Sequence, residues 1–434
     1  MERMERILAK EATKKTGDQV LLKGWIHELR DLAKIKFLQL RDVSGIIQCV
    51  VKSEALFGEF KKLTLESSVE IRGKVAKAEI KSEIALKGVE IEVQSLKLLN
   101  KAENLPILIT GKTITEDLSK RLDNRSIDLY NPKVSAIFKI QSEITNSFRK
   151  FFYEKGFYEI QPPSVIGSAS EGGTNLFEIK YFEKKAYLAQ SPQLYKQMLI
   201  SSLEKVFMIT PVWRAEKHNT IRHLNESRQM DIEVAFASQM EVIQYLFDAV
   251  KFIVKEVKEK CRQELELLGV NLEVPKDKTL TYDEVLELLN KTKKMGLKSG
   301  DDLSPEAEKE LGKLFPNTII AIPDWPSEIK PFYIMPKGED ADAKLSEGMD
   351  VHYGGMEISS GGQRIHLPEL LIERLKAKGL NPKNFEYYTN SFRYGCPIHS
   401  GWSIGLERLT MLMLGLQNIR EAVLFPRDRD RLVP

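Results

Sequence analysis

Trp213-Arg214-Ala215-Glu216, followed closely by Arg222-His223-Leu224-Asn225-Glu226, sets two arginines, two acids and a histidine between two strand-like runs, Val206-Phe207-Met208-Ile209 and Asp231-Ile232-Glu233-Val234-Ala235-Phe236. Runs rich in β-branched and aromatic residues read as strands, so the charges fall on a connection between them. An Arg-x-Glu pair alone is most often a surface ion pair. Two more segments give it weight. Tyr158-Glu159-Ile160-Gln161-Pro162-Pro163 follows a helical stretch, and Gly405-Leu406-Glu407-Arg408-Leu409 would by itself be only a helix start. Their order and the lengths between them carry information that none carries alone.

Working outward, Ile137, Ile140, Ile144, Phe148 and Phe152 recur every three or four residues and share one helix face, which Gly156 ends. Tyr187-Leu188-Ala189 reads as a further strand, residues 239–268 as a long helical stretch, and the Lys/Glu-rich 270–325 as an insertion. Strands return from 326, and a helix near 406–416 follows. Upstream, five β-prone runs lie between residues 19 and 100, with Gly24, Ser44-Gly45 and Gly73 as turn signals. Five short strands suit a small barrel of the OB type; strand count alone fits a small β-sandwich as well. Residues 101–134 form a polar connector ending in Asn131-Pro132. The expected division is a barrel at 1–100, a hinge at 101–134 and a second domain at 135–434. Gly111-Lys112-Thr113 looks like the end of a phosphate-binding loop, but that motif needs glycine where Pro106 stands.

Composition agrees with a globular chain: 434 residues, 42% hydrophobic and 29% charged, with a net charge of +3. No apolar run approaches the ~20 residues of a membrane helix, so no membrane partner is expected. Three cysteines without a CxxC pair exclude a disulfide framework and a cysteine-rich zinc site, and fit a reducing, cytoplasmic location.

Together the three segments resemble motifs 1, 2 and 3 of class II aminoacyl-tRNA synthetases, over nearly the whole chain and most closely the aspartyl enzymes of archaeal and eukaryotic type. The resemblance implies an α+β fold: an N-terminal OB-fold β-barrel for the anticodon, and a catalytic domain with an antiparallel sheet flanked by helices. It implies activation of L-aspartate with ATP, transfer to tRNA(Asp), and a homodimer formed through the helix from Ala136 and the segment around Pro163.

The chemistry accounts for the residue types. A carboxylate attacks the α-phosphorus of ATP and pyrophosphate leaves, so fixed cations must meet charge on phosphate oxygens. By resemblance, Arg214 holds the α-phosphate and Arg408 the γ-phosphate; guanidinium grips two oxygens and stays charged. Glu216 accepts from the adenine amino group, Arg222 belongs to the nucleotide site, His223 touches phosphate and Leu224 packs near the base. In isolation, a satisfied structural histidine is the ordinary alternative for His223. Glu357 and Ser360, with Asp350 in support, are the implied Mg²⁺ ligands, hard oxygen donors suited to that ion. Arg214, Arg408 and Glu357 are the implied catalytic residues. No general base is evident; positioning and electrostatics are expected to carry most of the rate, since the attacking carboxylate is already ionised.

Gln190-Ser191-Pro192-Gln193-Leu194-Tyr195-Lys196 carries the specificity signal. A side-chain carboxylate needs buried cations, which Lys196 and Arg364 supply. Asparaginyl enzymes typically have an apolar residue in place of Lys196, and lysyl enzymes need acids around the substrate tail. Rejection of asparagine would follow from leaving these two cations incompletely paired. The resemblance assigns Asp231 to the substrate ammonium, Ser191 and Gln193 to the α-amino side, Ser360 and Arg364 to the bound amino acid, and Glu171 in Glu171-Gly172-Gly173-Thr174 to a loop closing over it. One departure stands out: the family usually has glycine where this chain has Ser403, a side chain expected to weaken ATP binding slightly.

On the barrel, Phe37 resembles the family's stacking aromatic and Gln48 its reader of the central uracil, with Arg30 and Lys36 holding backbone or base edges. A core phenylalanine is the ordinary alternative for Phe37. Relaxed enzymes that also charge tRNA(Asn) tend to carry tryptophan at His27 and lysine near Leu86, so a preference for tRNA(Asp) is expected. The alternatives are an asparaginyl-tRNA synthetase, an enzyme charging both tRNAs, an ammonia-dependent asparagine synthetase, which would not need the barrel, and a non-catalytic RNA-binding paralogue, which would typically lack one of Arg214, Arg364 and Arg408.

Overall fold

The computed structural model describes residues 4–110, 114–168 and 176–434. The chain divides into two compact units, Met1–Asn131 and Pro132–Pro434. The boundary falls at the Asn131-Pro132 step, so the residues expected to form a hinge belong, up to Asn131, to the first unit.

The first unit is built on β1 (Gln19–Leu32), β2 (Ile35–Asp42), β3 (Gly45–Val51), β4 (Ser68–Lys77) and β5 (Val89–Asn100). They close into a barrel in the order β1-β2-β3-β5-β4, which removes the sandwich alternative. Alternation sends Leu22, Leu38, Leu40, Ile47, Cys49, Val69, Ile71 and Ile91 into the barrel core. Two glycines read as turns are not turns. Gly24 and Gly73 lie inside β1 and β4, where a Cβ would run into the carbonyl oxygens of Arg41 and Glu92 on neighbouring strands.

The second unit centres on an eight-stranded sheet in the order β12-β13-β14-β15-β16-β11-β10-β6. Its strands are β6 (Tyr158–Glu159), β10 (Lys205–Trp213), β11 (Glu226–Ala235), β12 (Lys276–Thr279), β13 (Thr318–Pro323), β14 (Gly348–Tyr353), β15 (Met356–Gln363) and β16 (His399–Gly405). All pairings are antiparallel except β6 with β10 and β12 with β13. Three further strands, β7 (Val165–Ile166), β8 (Glu178–Tyr181) and β9 (Lys184–Leu188), form a small separate sheet. Within the 270–325 segment, β12 and β13 complete one edge of the main sheet, and β13 is buried throughout.

Helix Pro132–Glu154 packs on helix Gln239–Lys260 and helix Arg262–Leu268. Its periodic residues Ile137, Ile140, Ile144, Phe148 and Phe152 are all buried, each contributing about 1.5–3 kcal/mol. Phe148 and Phe152 meet Phe207 of β10 and Trp402 of β16 edge-on or stacked, clamping the helix to the sheet. Ser238 caps the second helix, accepting from the Glu241 N–H while the Glu241 carboxylate accepts from the Ser238 N–H. This layer covers one face of the sheet, and the other face carries the polar residues.

Candidate active site

The connection between β10 and β11 is residues 214–225, so Arg214, Glu216, Arg222, His223 and Leu224 hang off the ends of two paired strands. Helix Leu406–Leu414 starts directly after β16 and delivers Glu407 and Arg408. A cavity of about 330 Å³ opens between these segments. Among its lining residues are Ser191, Gln193, Arg214, Glu216, Arg222, His223, Leu224, Asp231, Glu357, Ser360, Arg364, Ser403 and Arg408.

The sheet register explains this convergence. Asp350, Ser360, Ser403 and Asp231 are cross-strand neighbours on β14, β15, β16 and β11, and residues directly opposite share a face. Glu357 is three residues before Ser360 and would face the other way in a regular strand. A β-bulge shifts the register so that His352 pairs with Glu357 while Val351 pairs with Ser359. The extra residue returns Glu357 to the cavity side.

Beneath one end of the cavity lies a buried ion network. Lys196 Nζ sits 2.9 Å from Asp231 Oδ1 and 3.3 Å from Glu233 Oε2. Arg364 donates to Glu233 through Nε at 2.9 Å and Nη2 at 3.3 Å. Two cations and two acids thus neutralise one another, as burial demands. The next cross-strand row is Glu233, Gly401, Gly362 and Gly348. A Cβ at Gly401 would strike the Glu233 carboxylate. Helix Gln193–Leu203 packs above, its Gln197 accepting from Gln193 at 2.8 Å and Tyr388 at 3.0 Å and meeting His399 at 2.9 Å. Burial pushes the His399 imidazole down to about 4, so it is neutral.

The charges differ in balance. Burial pushes the Asp231 carboxyl up, against the bonds from Lys196 and Ser403. Burial would also raise Glu233, but Arg364 and Lys196 outweigh it and hold it below the usual carboxylate range. Burial, then the neighbouring Asp350 carboxylate, raise Glu357. Burial raises Glu407 to about 7, although its oxygens accept from the Arg228 N–H at 3.0 Å. Arg408 donates through Nη1 to the Glu357 carbonyl at 2.9 Å, tying helix Leu406–Leu414 to β15.

Several expectations need correction. Lys196 is 1% exposed and stands behind the cavity wall, already paired, instead of lining it. Asp231 lines the cavity while its two oxygens accept from Lys196 and Ser403, and each oxygen keeps a second lone pair. Ser403 Oγ donates to Asp231 Oδ2 at 3.1 Å, so the departure at this position serves the acid network. Asp350 does not line the cavity; its carboxylate is 2.5 Å from Lys330 Nζ. Glu171 lies outside the described residues, as does Gly111-Lys112-Thr113. Glu233 went unnoticed as a site residue, although a period of two places it on the same strand face as Asp231.

On the barrel, Arg30 pairs with Phe37 and Gln39 with Gln48, so Arg30, Phe37 and Gln48 share the outer face. Phe37 is half-buried, and Gln48 donates to Glu90 at 2.8 Å. His27 is not on this face. It is 3% exposed and points at Glu66, with Nδ1 3.7 Å from Oε1, while Arg41 holds the other oxygen. Lys36 is buried too, its ammonium bonded to Asp31 and the Leu32 carbonyl. Leu86 packs against the barrel core beside Gly45.

A mostly antiparallel sheet carrying arginines on a strand connection and a helix start, in a chain that also holds a small closed barrel, is the arrangement of a class II synthetase. Residues 117–429 match the family described as tRNA synthetases class II (D, K and N), and residues 20–99 match the OB-fold nucleic acid binding domain. The chain belongs to this class II synthetase family. It is 45% identical over 425 residues to an aspartate–tRNA(Asp/Asn) ligase of Methanocaldococcus jannaschii, covering 96% of this chain and 95% of that protein. It is 46% identical over 434 residues to an aspartate–tRNA(Asp) ligase of Pyrococcus furiosus, covering 96% and 97%. Among solved structures it is similar to the asparaginyl-tRNA synthetase of Pyrococcus horikoshii complexed with asparaginyl-adenylate, with a TM-score of 0.92, 33% identity and full coverage of both chains. The aspartyl-tRNA synthetase of Entamoeba histolytica gives a TM-score of 0.86 at 33% identity, covering 99% of this chain and 93% of that one. Among the described residues no helix is long and apolar enough to cross a membrane, and the three cysteines are unbonded.

Proposed function

We propose that this chain is an aspartate–tRNA ligase that forms aspartyl-adenylate from L-aspartate and ATP and then transfers aspartate to tRNA(Asp). The observation that carries the reading is the buried Lys196–Asp231–Glu233–Arg364 network under the cavity. Arg364 spends Nε and Nη2 on Glu233, which leaves Nη1 as a donor toward a guest. A carboxylate accepts from it on either oxygen, whereas a carboxamide would turn its own N–H₂ toward the cation. Discrimination therefore rests on this mismatch and not on unpaired cations, since Asp231 and Glu233 already pair both. A lysine ammonium would meet Arg364 directly.

Ser191 and Gln193 hold the α-amino side, and Asp231, which lines the cavity, would accept from the substrate ammonium with Lys196 and Ser403 holding it in place. At the other end Arg214, Arg222 and Arg408 receive the phosphates, with Glu216 and Leu224 at the base. His223 stands 3.8 Å from Glu216, and its Nδ1 is 2.6 Å from the Thr220 hydroxyl. These residues fix the aspartate α-carboxylate in line with the α-phosphorus, so positioning and electrostatics supply the rate. The donor set also fits Mg²⁺: Glu357, raised by burial and by Asp350, would regain its charge beside a divalent cation, and Ser360 adds a hard oxygen. When bound, the ion neutralises charge on the phosphate oxygens.

The outer face of the barrel, with Phe37, Gln48 and Arg30, would take the unstacked anticodon bases. Tyr158 on edge strand β6 is 60% exposed and Val165 on β7 40% exposed, an apolar surface that a second copy would cover in a homodimer. A relaxed scope, charging tRNA(Asn) as well, is the second reading, favoured by the name of the M. jannaschii relative and by a buried His27 that reads no base. Charging transcripts of both tRNAs with aspartate separates them. Strong preference for tRNA(Asp) supports the narrower reading, equal charging supports the relaxed one, and charging of neither contradicts the proposal.

A further inference from the structure

The 270–325 segment has no part in the site described so far, yet one of its side chains reaches it from behind. Glu308, on helix Pro305–Leu314, holds three elements at once. Its Oε2 accepts from Arg222 Nη1 at 3.1 Å. Its Oε1 accepts from the backbone N–H of Glu357 at 3.3 Å and lies 3.3 Å from His352 Nε2 on β14. Glu308 does not line the cavity, whereas Arg222 and Glu357 do. The helix that carries it is seated backbone to backbone: a Cβ at Gly312 would collide with Gly355 in the β14–β15 turn. Glu308 is mostly buried, at 12% side-chain exposure, so its carboxylate is screened less than a surface acid.

We propose that Glu308 is a positioning residue for the nucleotide end of the cavity. It fixes the Arg222 guanidinium against the bulged part of β15 that presents Glu357, so that a phosphate-facing cation and a metal-facing carboxylate keep a set separation before ATP enters. A guanidinium carries five N–H donors, and holding it through Nη1 leaves the others able to face a phosphate. Held in place, Arg222 loses less side-chain freedom when the nucleotide binds. The connection from 214 to 225 would otherwise carry that arginine on a strand-free loop. This inference rests on the reading that Arg222 meets ATP.

The test is ATP–pyrophosphate exchange with the full-length enzyme, measuring KM for ATP and for aspartate in the wild type, Glu308→Gln, Glu308→Asp, Arg222→Ala and Glu308→Gln/Arg222→Ala. Glu308→Gln is expected to raise KM for ATP roughly threefold to tenfold while KM for aspartate stays within about twofold. Glu308→Asp, which keeps the carboxylate, should recover part of the loss. The double variant should bind ATP no worse than Arg222→Ala alone, because Glu308 acts through that arginine. Additive losses, an equal rise in both KM values, or a fall in KM for ATP would each overturn the proposal. If Arg222→Ala raises KM for ATP and Glu308→Gln does not, the role of Glu308 fails while that of Arg222 stands. If Arg222→Ala has no effect, both fail.

Discussion

At the scale of single residues, Ser403 shows how a departure from a family pattern acquires a different meaning once its neighbours are known. Read along the chain, a serine at this point threatens close approach to ATP. Across the sheet it stands opposite Asp231 and gives it a hydrogen bond. Ser403→Gly is therefore expected to raise KM for aspartate roughly fivefold, for a loss of about 1 kcal/mol, and to leave KM for ATP unchanged in pyrophosphate exchange. An effect on ATP alone would restore the simpler reading. Glu407 supports a second prediction. Its folded pKa of about 7 lies above the ordinary glutamate value of 4.5. The folded state thus holds the proton more tightly, and the stability this contributes is present in full below about 4.5 and lost as pH rises through 7. Compared with Glu407→Gln, the wild type should lose up to about 3 kcal/mol of stability between pH 4.5 and 8. Parallel stability curves from urea melts across that range would contradict it.

At the scale of elements, the cavity depends on one bulge and one row of glycines. Glu357 reaches the cavity only because β15 carries an extra residue, and Glu233 fits only because Gly401 opposite has no side chain. Gly401→Ala is expected to push Glu233 off Arg364 and to abolish aspartate-dependent exchange, together with a stability loss of roughly 3 kcal/mol or more for a broken buried pair; a variant with near-normal exchange would show that the spacing is not needed. This also marks what could be read from the chain. The helix face from Ile137 to Phe152, the five barrel strands and the three motifs were legible, because periodicity and local residue type specify them. Gly24 and Gly73 misled, since a glycine that permits close strand approach looks like one that permits a turn. The contact of His27 with Glu66 and the hold of Glu308 on Arg222 are pairings across tens of residues, while the bulge in the β14–β15 hairpin and the bonds of Lys36 to Asp31 and Leu32 are local but carry no residue-type signal. Within 270–325 the charged helices dominate the pattern and hide β12 and β13.

At the scale of the whole molecule, the two units divide the labour. The barrel has its own closed core, and the outer face of β1–β3 offers an aromatic and polar side chains. The second unit encloses a cavity with phosphate-seeking arginines at one end and a balanced ion network at the other. On the proposed reading the first end serves the nucleotide and the second chooses the amino acid, so the central claim concerns Arg364 and the acids that aim it. The most direct measurement is ATP–pyrophosphate exchange by the wild-type enzyme with aspartate, asparagine and lysine supplied in turn at equal concentration. Exchange with aspartate exceeding that with either competitor by a factor on the order of 10³ or more is the predicted result; exchange with asparagine or lysine equal to that with aspartate would contradict the account.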